Sequence, residues 1–357
     1  MKLAAWVAHQ VATPMTRETR EEDPGPGEVI VEVAGCGVCH TDLSFFYDGV
    51  PTRHPFPLTL GHEISGRVVV AGPGAGEWLD RAVVVPAVLP CGECDACRAG
   101  RGQVCPRQVF PGSDVHGGFA THVRLPARGL CAVPDLNDSA VNKAGVDLAA
   151  LSVIADAVST PFQAIRRSGL REGDLAVFVG VGGIGGFGVQ IAAAHGAHVV
   201  AIDVDADRLE RFAAHGAGLT LSPAGLDPKQ VRRKVREFAD QRGVPTWRTV
   251  IFETSGHPAG QVLAFGLLGH GSLLSIVGYT ASSIDVRLSN LMAFDATVQG
   301  NWGCLPEYYP AVLDLVLSGR VALAPFIERR PLGAINEVFE DIHAGRARNR
   351  VVLVPEQ

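Results

Sequence analysis

Cys39 and His62 are the residues whose types and setting first suggest chemistry. A thiolate and an imidazole are the donors a borderline-soft ion such as zinc prefers, and each lies in a glycine-punctuated loop beside an apolar run, GCGVCHTD and LGHEISGRVV. A catalytic zinc takes three protein ligands and keeps one open position, so a third donor must come from further along, and Asp156 is the candidate. Asp42 is placed to accept the second ring N–H of His62 and fix its tautomer, and Glu63 to sit as a movable carboxylate behind the metal.

A second cluster lies in CGECDACRAGRGQVC, where Cys91, Cys94, Cys97 and Cys105 are separated by two, two and seven residues. Four thiolates this close can wrap one tetrahedral zinc and leave no open position, which makes a staple rather than a catalyst; an iron–sulfur cluster or four unrelated thiols are the alternatives. Cys36, Cys131 and Cys304 read as small buried hydrophobes.

Gly180, Gly182 and Gly185, with Gly183 and Ile184 between them, form G-x-G-x-x-G directly after the apolar strand LAVFVG. The first glycine permits a tight turn, the second admits pyrophosphate and the third lets helix approach strand, while the helix N-terminus offers N–H groups to phosphate. A merely tight turn is the plain alternative. Asp203 shifts the balance: it ends the next apolar strand, where a carboxylate binds both ribose hydroxyls of NAD and repels the 2′-phosphate of NADP. Arg208 reads equally as a neighbour of the adenine ribose or an exposed helix arginine.

These groups need two kinds of scaffold, and 357 residues with 47% hydrophobic composition suffice for two domains. The first third alternates short β-rich runs (EVIVEVAG, ISGRVVVAG, RAVVVPAV, FATHVRLP) with Gly and Pro turns, a pattern for a strand-rich, barrel-like domain. From about Ala149 the segments lengthen: LAALSVIADAVSTPFQAIRRSG reads as helix, and a βαβ unit follows. KQVRRKVREFADQR reads as a helix with a solvated face. TVIFETSG, GSLLSIVGYT and DATVQGNWG read as further strand edges, and ligands bind beyond the carboxyl ends of such strands. Thr254, Ser255, Val277, Gly278, Tyr279 and Asn301 are therefore candidates to line the cofactor. After Trp302 an amphipathic helix, a strand near PFIERRPL, a last helix and the strand NRVVLVP return to the first domain. The expected class is α/β: a strand-rich catalytic domain at 1–156, a doubly wound parallel sheet at 157–301 and a return at 302–357.

A net charge of −6 and a pI near 6.1 argue against nucleic acid as a partner. The chain lacks a long uncharged apolar run and a signal-type leader, so a soluble, cytoplasmic protein with no membrane partner is expected. Metal-ligand spacing of five of the eight cysteines fits a reducing compartment better than disulfides do.

GVCHTD, LGHEISGRVV, the four-cysteine lobe, GGFATHV and GVGGIG followed by Asp203 together resemble the zinc-dependent medium-chain alcohol dehydrogenases over essentially the full length. The resemblance implies a GroES-like catalytic domain carrying two zincs, one catalytic and one structural, a Rossmann domain for NAD, and a homodimer or homotetramer. By motif, Cys39 and His62 match catalytic zinc ligands, Asp42 and Glu63 the accompanying carboxylates, Thr41 the hydroxyl that relays the alcohol proton, and His40 a position near the cofactor phosphates. The third ligand in the family is usually a cysteine or glutamate; DAVSTPFQAI puts Asp156 there. Ser44 stands where the family relay often ends in histidine, so the proton leaves by water or another side chain. The implied activity is reversible NAD-dependent oxidation of a secondary alcohol to a ketone. HPFPLTLGHEISGRVV, GSDVHGGFATHV, VSTPFQAIRRSGL and NWGCLPEYYPAVLDLVLSGRVALAPFIERRPL further resemble a member acting on an alicyclic acyl-CoA, with Arg53, Arg124 and Arg128 as candidates for its phosphates. A simple secondary alcohol or polyol is the alternative substrate, and a non-catalytic nicotinamide-binding protein the alternative of another class.

Overall fold

Alternating apolar and polar positions fold the start of the chain into strands. The computed structural model describes residues 1–356 and divides into two units, Met1–Ser159 with Gly303–Gln357, and Thr160–Trp302. In the first unit, β1 (Lys2–Val7) pairs antiparallel with β2 (Thr16–Glu21). The sequence of β2, TRETRE, carries no apolar alternation; β1 supplies the buried face, through Leu3, Ala5 and Val7, and so recruits a strand that patterning does not mark. Then come β3 (Glu28–Gly37), α1 (His40–Tyr47), β4 (Glu63–Ala71), β5 (Ala82–Val85), the short α2 (Asp95–Arg98), β6 (His122–Pro126) and β7 (Cys131–Ala132).

The segment expected as one helix from Leu148 is broken. Ala150–Ala155 form a 3-10 helix, Asp156 leaves helical geometry at φ −139° and ψ −59°, and α3 (Ser159–Ser168) starts afresh. Apolar content alone does not report such a break, because both pieces bury the same kinds of side chain.

The second unit holds β8 (Leu175–Val179), α4 (Gly183–Ala194), β9 (His198–Ile202), α5 (Ala206–Ala213), β10 (Leu219–Leu221), α6 (Pro228–Asp240), β11 (Thr249–Glu253), α7 (Pro258–Gly266), β12 (Leu273–Ile276), α8 (Ser289–Phe294) and β13 (Thr297–Gly300). Its six strands are all parallel in the order β10-β9-β8-β11-β12-β13, the doubly wound order with its switch point between β8 and β11. Every residue of β8 and β11 is buried, as covered parallel strands require. Phe178 stacks on Phe252 across that central pair at 4.7 Å, worth about 0.5–1.5 kcal/mol beyond burial.

The chain returns to the first unit with α9 (Tyr309–Leu317), β14 (Ile327–Pro331), α10 (Ile335–His343) and β15 (Arg350–Val354). The sheet there is mixed and seven-stranded, ordered β14-β15-β3-β4-β5-β7, with β6 also paired to β3. Strand β3 serves three partners because it is ten residues long and carries two register shifts: β6 takes its start, and β15 takes Cys36 and Gly37 at its end. Phe339 of α10 meets Phe46 and Phe119 edge-on, fixing the returning segment into the core. Among the described residues no helix is long and apolar enough to cross a membrane.

Candidate active site

Register assembles the first site. Gly37 at the end of β3 pairs with Glu63 at the start of β4, and Gly37 also pairs with Val352 of β15. Cys39, just past β3, and His62, just before β4, therefore meet at one end of the sheet, with Arg350 entering from the third strand. Cys39 is the N-cap of α1, so the helix start that presents Thr41 also fixes the sulfur.

Asp42 ties these loops together. It is fully buried; its Oδ2 accepts from the Cys39 N–H at 2.9 Å, while Oδ1 accepts from the Gly61 N–H at 3.1 Å and lies 3.1 Å from His62 Nδ1. His62 Nε2 then faces the ligand set. Burial works against charge on His62, but the Asp42 carboxylate and hydrogen bonds with Asp156, Asp42 and Cys39 outweigh it and raise its pKa well above 6.5, so an incoming metal ion displaces a proton.

Asp156 completes the set. Its Oδ2 lies 3.6 Å from Cys39 Sγ and 3.7 Å from His62 Nε2. With metal bonds of about 2.0–2.3 Å, tetrahedral ligands stand about 3.3–3.8 Å apart, so the three donors fit one zinc. Glu63 also reaches within 4.8 Å of each. Both of its oxygens have partners, however: Arg350 Nε donates to Oε2 at 2.8 Å, Arg350 also donates to Oε1, and the Ala157 N–H donates to Oε1 at 3.0 Å. Burial pushes the Glu63 pKa up to about 7 while the Arg350 charge pulls the other way. A carboxylate so engaged would leave a metal held by Cys39, His62 and Asp156 with a position for a substrate.

Arg350 is a site residue that motif reading misses, and its signal is an arginine heading the otherwise apolar strand RVVLV. Tyr309 is another. Its fully buried hydroxyl bonds Ala155 O, the Ser159 hydroxyl and the Ala87 N–H, which clamps the peptide that carries Asp156. Thr41 Oγ1 stands 3.7 Å from Cys39 Sγ, Ser44 lies one turn further along α1 half-buried, and His40 is exposed at the first position of the helix.

The four-cysteine lobe folds as a second metal site. Cys94 Sγ is 3.5 Å from Cys97 Sγ and 3.6 Å from Cys105 Sγ, and Cys91 Sγ is 3.9 Å from Cys97 Sγ. A tetrahedron with Zn–S of 2.3 Å has edges of about 3.8 Å, which these separations match. Backbone N–H groups of Cys94, Cys91 and Arg107 point at the sulfurs and stabilise their negative charge.

In the second unit the glycine turn follows β8. Gly180 has φ +87°, and a Cβ there would come 2.5 Å from Ser255 Cα; a Cβ at Gly185 would overlap the Gly180 carbonyl. Those two glycines answer to the chain itself. A Cβ at Gly182 would meet nothing, and Gly182 caps α4 without any side-chain hydrogen bond, so the first-turn N–H groups next to Gly183 and Ile184 face an open cradle suited to a pyrophosphate. Asp203 is nearly buried, with Oδ2 accepting from the Val181 N–H at 2.8 Å and Oδ1 from the Asp205 N–H at 2.9 Å; its remaining lone pairs suit ribose hydroxyls. Arg208 lies 3.7 Å from Asp203 and 3.5 Å from Asp205.

Beyond β11 and β12, Thr254 Oγ1 donates to Gly180 O, and Val277 and Gly278 donate their N–H groups to Glu253 O. Tyr279 is exposed. Asn301 instead turns to α3, where its side chain bonds Thr160 O, Gln163 and Arg167. Glu253 is an unforeseen organiser: fully buried, it accepts from the N–H groups of Ser255 and Gly256, and burial raises its pKa. The three arginines considered for CoA phosphates all have partners, Arg53 with Asp114, Arg124 with Glu22 and Glu28, and Arg128 with Pro90 O.

Comparison with known proteins matches both parts of the chain. Residues 25–135 match the alcohol dehydrogenase GroES-like domain and residues 183–318 the zinc-binding dehydrogenase family. An alcohol dehydrogenase of Geobacillus stearothermophilus is 30% identical over 98% of this chain and 99% of its own length. An L-threonine 3-dehydrogenase of Pyrococcus abyssi (strain GE5 / Orsay) is 30% identical over 93% of this chain and 92% of its own length. Among solved structures, acetophenone reductase from Geotrichum candidum NBRC 4597 in complex with NAD superposes with a TM-score of 0.84 at 25% identity, covering 99% of this chain and 97% of that one.

Proposed function

Since this chain belongs to the zinc-dependent medium-chain alcohol dehydrogenases, we propose that it oxidises the secondary hydroxyl of a simple alcohol or polyol to a ketone, with NAD as acceptor. One observation carries the reading: Cys39, His62 and Asp156 converge on a single point while both oxygens of the neighbouring Glu63 are held by other groups. When bound, zinc supplies the Lewis-acid charge that lowers an alcohol's pKa, and NAD supplies the hydride acceptor.

The chain's own residues do the rest. Asp42 keeps His62 in one tautomer so that Nε2 is the coordinating nitrogen. Thr41 takes the alcohol proton, and because Ser44 rather than a histidine follows, the proton leaves by water or another side chain. The Gly180–Gly185 turn holds the pyrophosphate, Asp203 holds the adenine ribose with Arg208 beside it, and Thr254, Val277, Gly278 and Tyr279 line the cofactor, while Asn301 is held to α3. Support for an alcohol or polyol comes from the relatives, which are named for alcohol and L-threonine oxidation, and from a carboxylate third ligand.

A second reading is oxidation of 6-hydroxycyclohex-1-ene-1-carbonyl-CoA to its 6-oxo product in anaerobic aromatic degradation. It rests on the four stretches that resemble that dehydrogenase; the engaged state of Arg53, Arg124 and Arg128 weighs against it. In either case we expect a cytoplasmic homodimer or homotetramer. NADH formation over a panel of secondary alcohols, polyols and cyclic hydroxyacyl-CoA thioesters separates the two readings. Cys39→Ala should abolish turnover while NAD binding persists, and undiminished turnover in that variant refutes the scheme. Metal analysis gives the class-level test: two zincs per chain accord with catalysis, one with a mere nicotinamide binder.

A further inference from the structure

A cavity of about 300 Å³ opens in the second unit at the start of the parallel strands, the end opposite the glycine turn. Leu175 and Thr249, the first residues of β8 and β11, line it, whereas the nucleotide turn follows the last residue of β8. Buried aliphatic side chains, Leu175, Val235, Val244 and Leu267, form its floor. Its rim is cationic: Lys229, Arg232, Arg233 and Arg236 recur at helical spacing along one face of α6 and are all exposed.

The cations are unequally satisfied. Arg233 lies 3.6 Å from Glu237 and Arg236 lies 2.9 Å from Asp240, each one turn along the helix. Arg232 instead covers the Phe294 ring, 5.5 Å from its centroid, and among the described residues neither Arg232 nor Lys229 has a carboxylate partner. In a chain of net charge −6 this excess is local. Two cations without carboxylates thus border an apolar floor, the pairing that recognises a molecule with an apolar body and an anionic head.

We propose that this cavity binds a small amphiphilic organic anion, its hydrocarbon body on the Val235 and Leu267 floor and its carboxylate or phosphate head between Lys229 and Arg232. The site is separate from the cofactor turn. Isothermal titration of the full-length, zinc-loaded protein with decanoate and with octyl phosphate tests it. One saturable site is expected, with affinity reduced about tenfold or more in the Lys229→Gln/Arg232→Gln double variant while NAD binding stays unchanged as the check on folding. If only one of the two probes saturates, that probe defines the head group and the assignment stands. Absence of saturable binding at millimolar probe, affinity equal in the double variant, or inorganic phosphate displacing decanoate at equal concentration each overturns the proposal.

Discussion

Replacing Arg350 with methionine isolates the charge balance behind the metal ligands. Arg350 is 6% exposed and Glu63 fully buried, and the guanidinium grips both carboxylate oxygens while its NH2 lies 4.0 Å from Asp156. Removing one member of a buried, hydrogen-bonded ion pair costs about 3–5 kcal/mol, because the survivor is left desolvated without a counter-charge. Spread over a unit of roughly two hundred residues, that corresponds to a fall in melting temperature on the order of 10 °C. The assay is thermal unfolding of parent and variant brought to equal zinc content. The double variant Arg350→Met/Glu63→Gln removes both charges and leaves an amide that still accepts from Ala157, so it should recover most of the loss. A single variant as stable as the parent, or a double variant worse than the single, refutes the reasoning.

Three further outcomes follow from the geometry. Asp203→Ser removes the carboxylate opposed to a 2′-phosphate, and the preference for NAD over NADP in kcat/KM should fall about tenfold or more. Cys94→Ser breaks the sulfur that stands near both Cys97 and Cys105, so metal analysis should fall from two zincs to one per chain and trypsin should cut the lobe at Arg98 or Arg101. His116 accepts the Thr59 N–H at Nδ1, and burial, then the charges of Arg20, His54 and Arg124, depress its pKa from 6.5 to about 4. The unfolded chain therefore takes up a proton below about pH 6.5 that the folded ring refuses until about pH 4, so stability is full above that window and drains as pH falls through it. Discounted for the ring's partial exposure, the loss is about 1–2 kcal/mol, and His116→Gln should flatten the urea-midpoint profile over that range.

Legibility in the sequence followed how local each feature is. The cysteine lobe and the glycine turn close within short loops, so spacing alone carries them. The parallel strands announce themselves because β8 and β11 are covered on both faces, so LAVFV and the central VIF of β11 run apolar without alternation. Strand β2 was invisible because its exposed residues take their place from β1, and the break at Asp156 because buried apolar positions run on from the 3-10 turn through Phe162, Ala164 and Ile165 of the amphipathic α3. Arg350 escaped motif reading for a related reason: register brings its charge to a partner that no spacing links to it, whereas Glu253 bonds its own turn and is marked only by burial.

The distance along the chain between Glu63 and Arg350, 287 residues, has a consequence for biogenesis. During synthesis the cysteine lobe can capture its ion soon after it leaves the ribosome, whereas the catalytic pocket holds an uncompensated carboxylate until β15 has emerged and paired with β3. Metallation of the two sites is expected to be ordered in time, staple first: a nascent chain arrested before β15 should carry one ion, and two ions on it would refute that order.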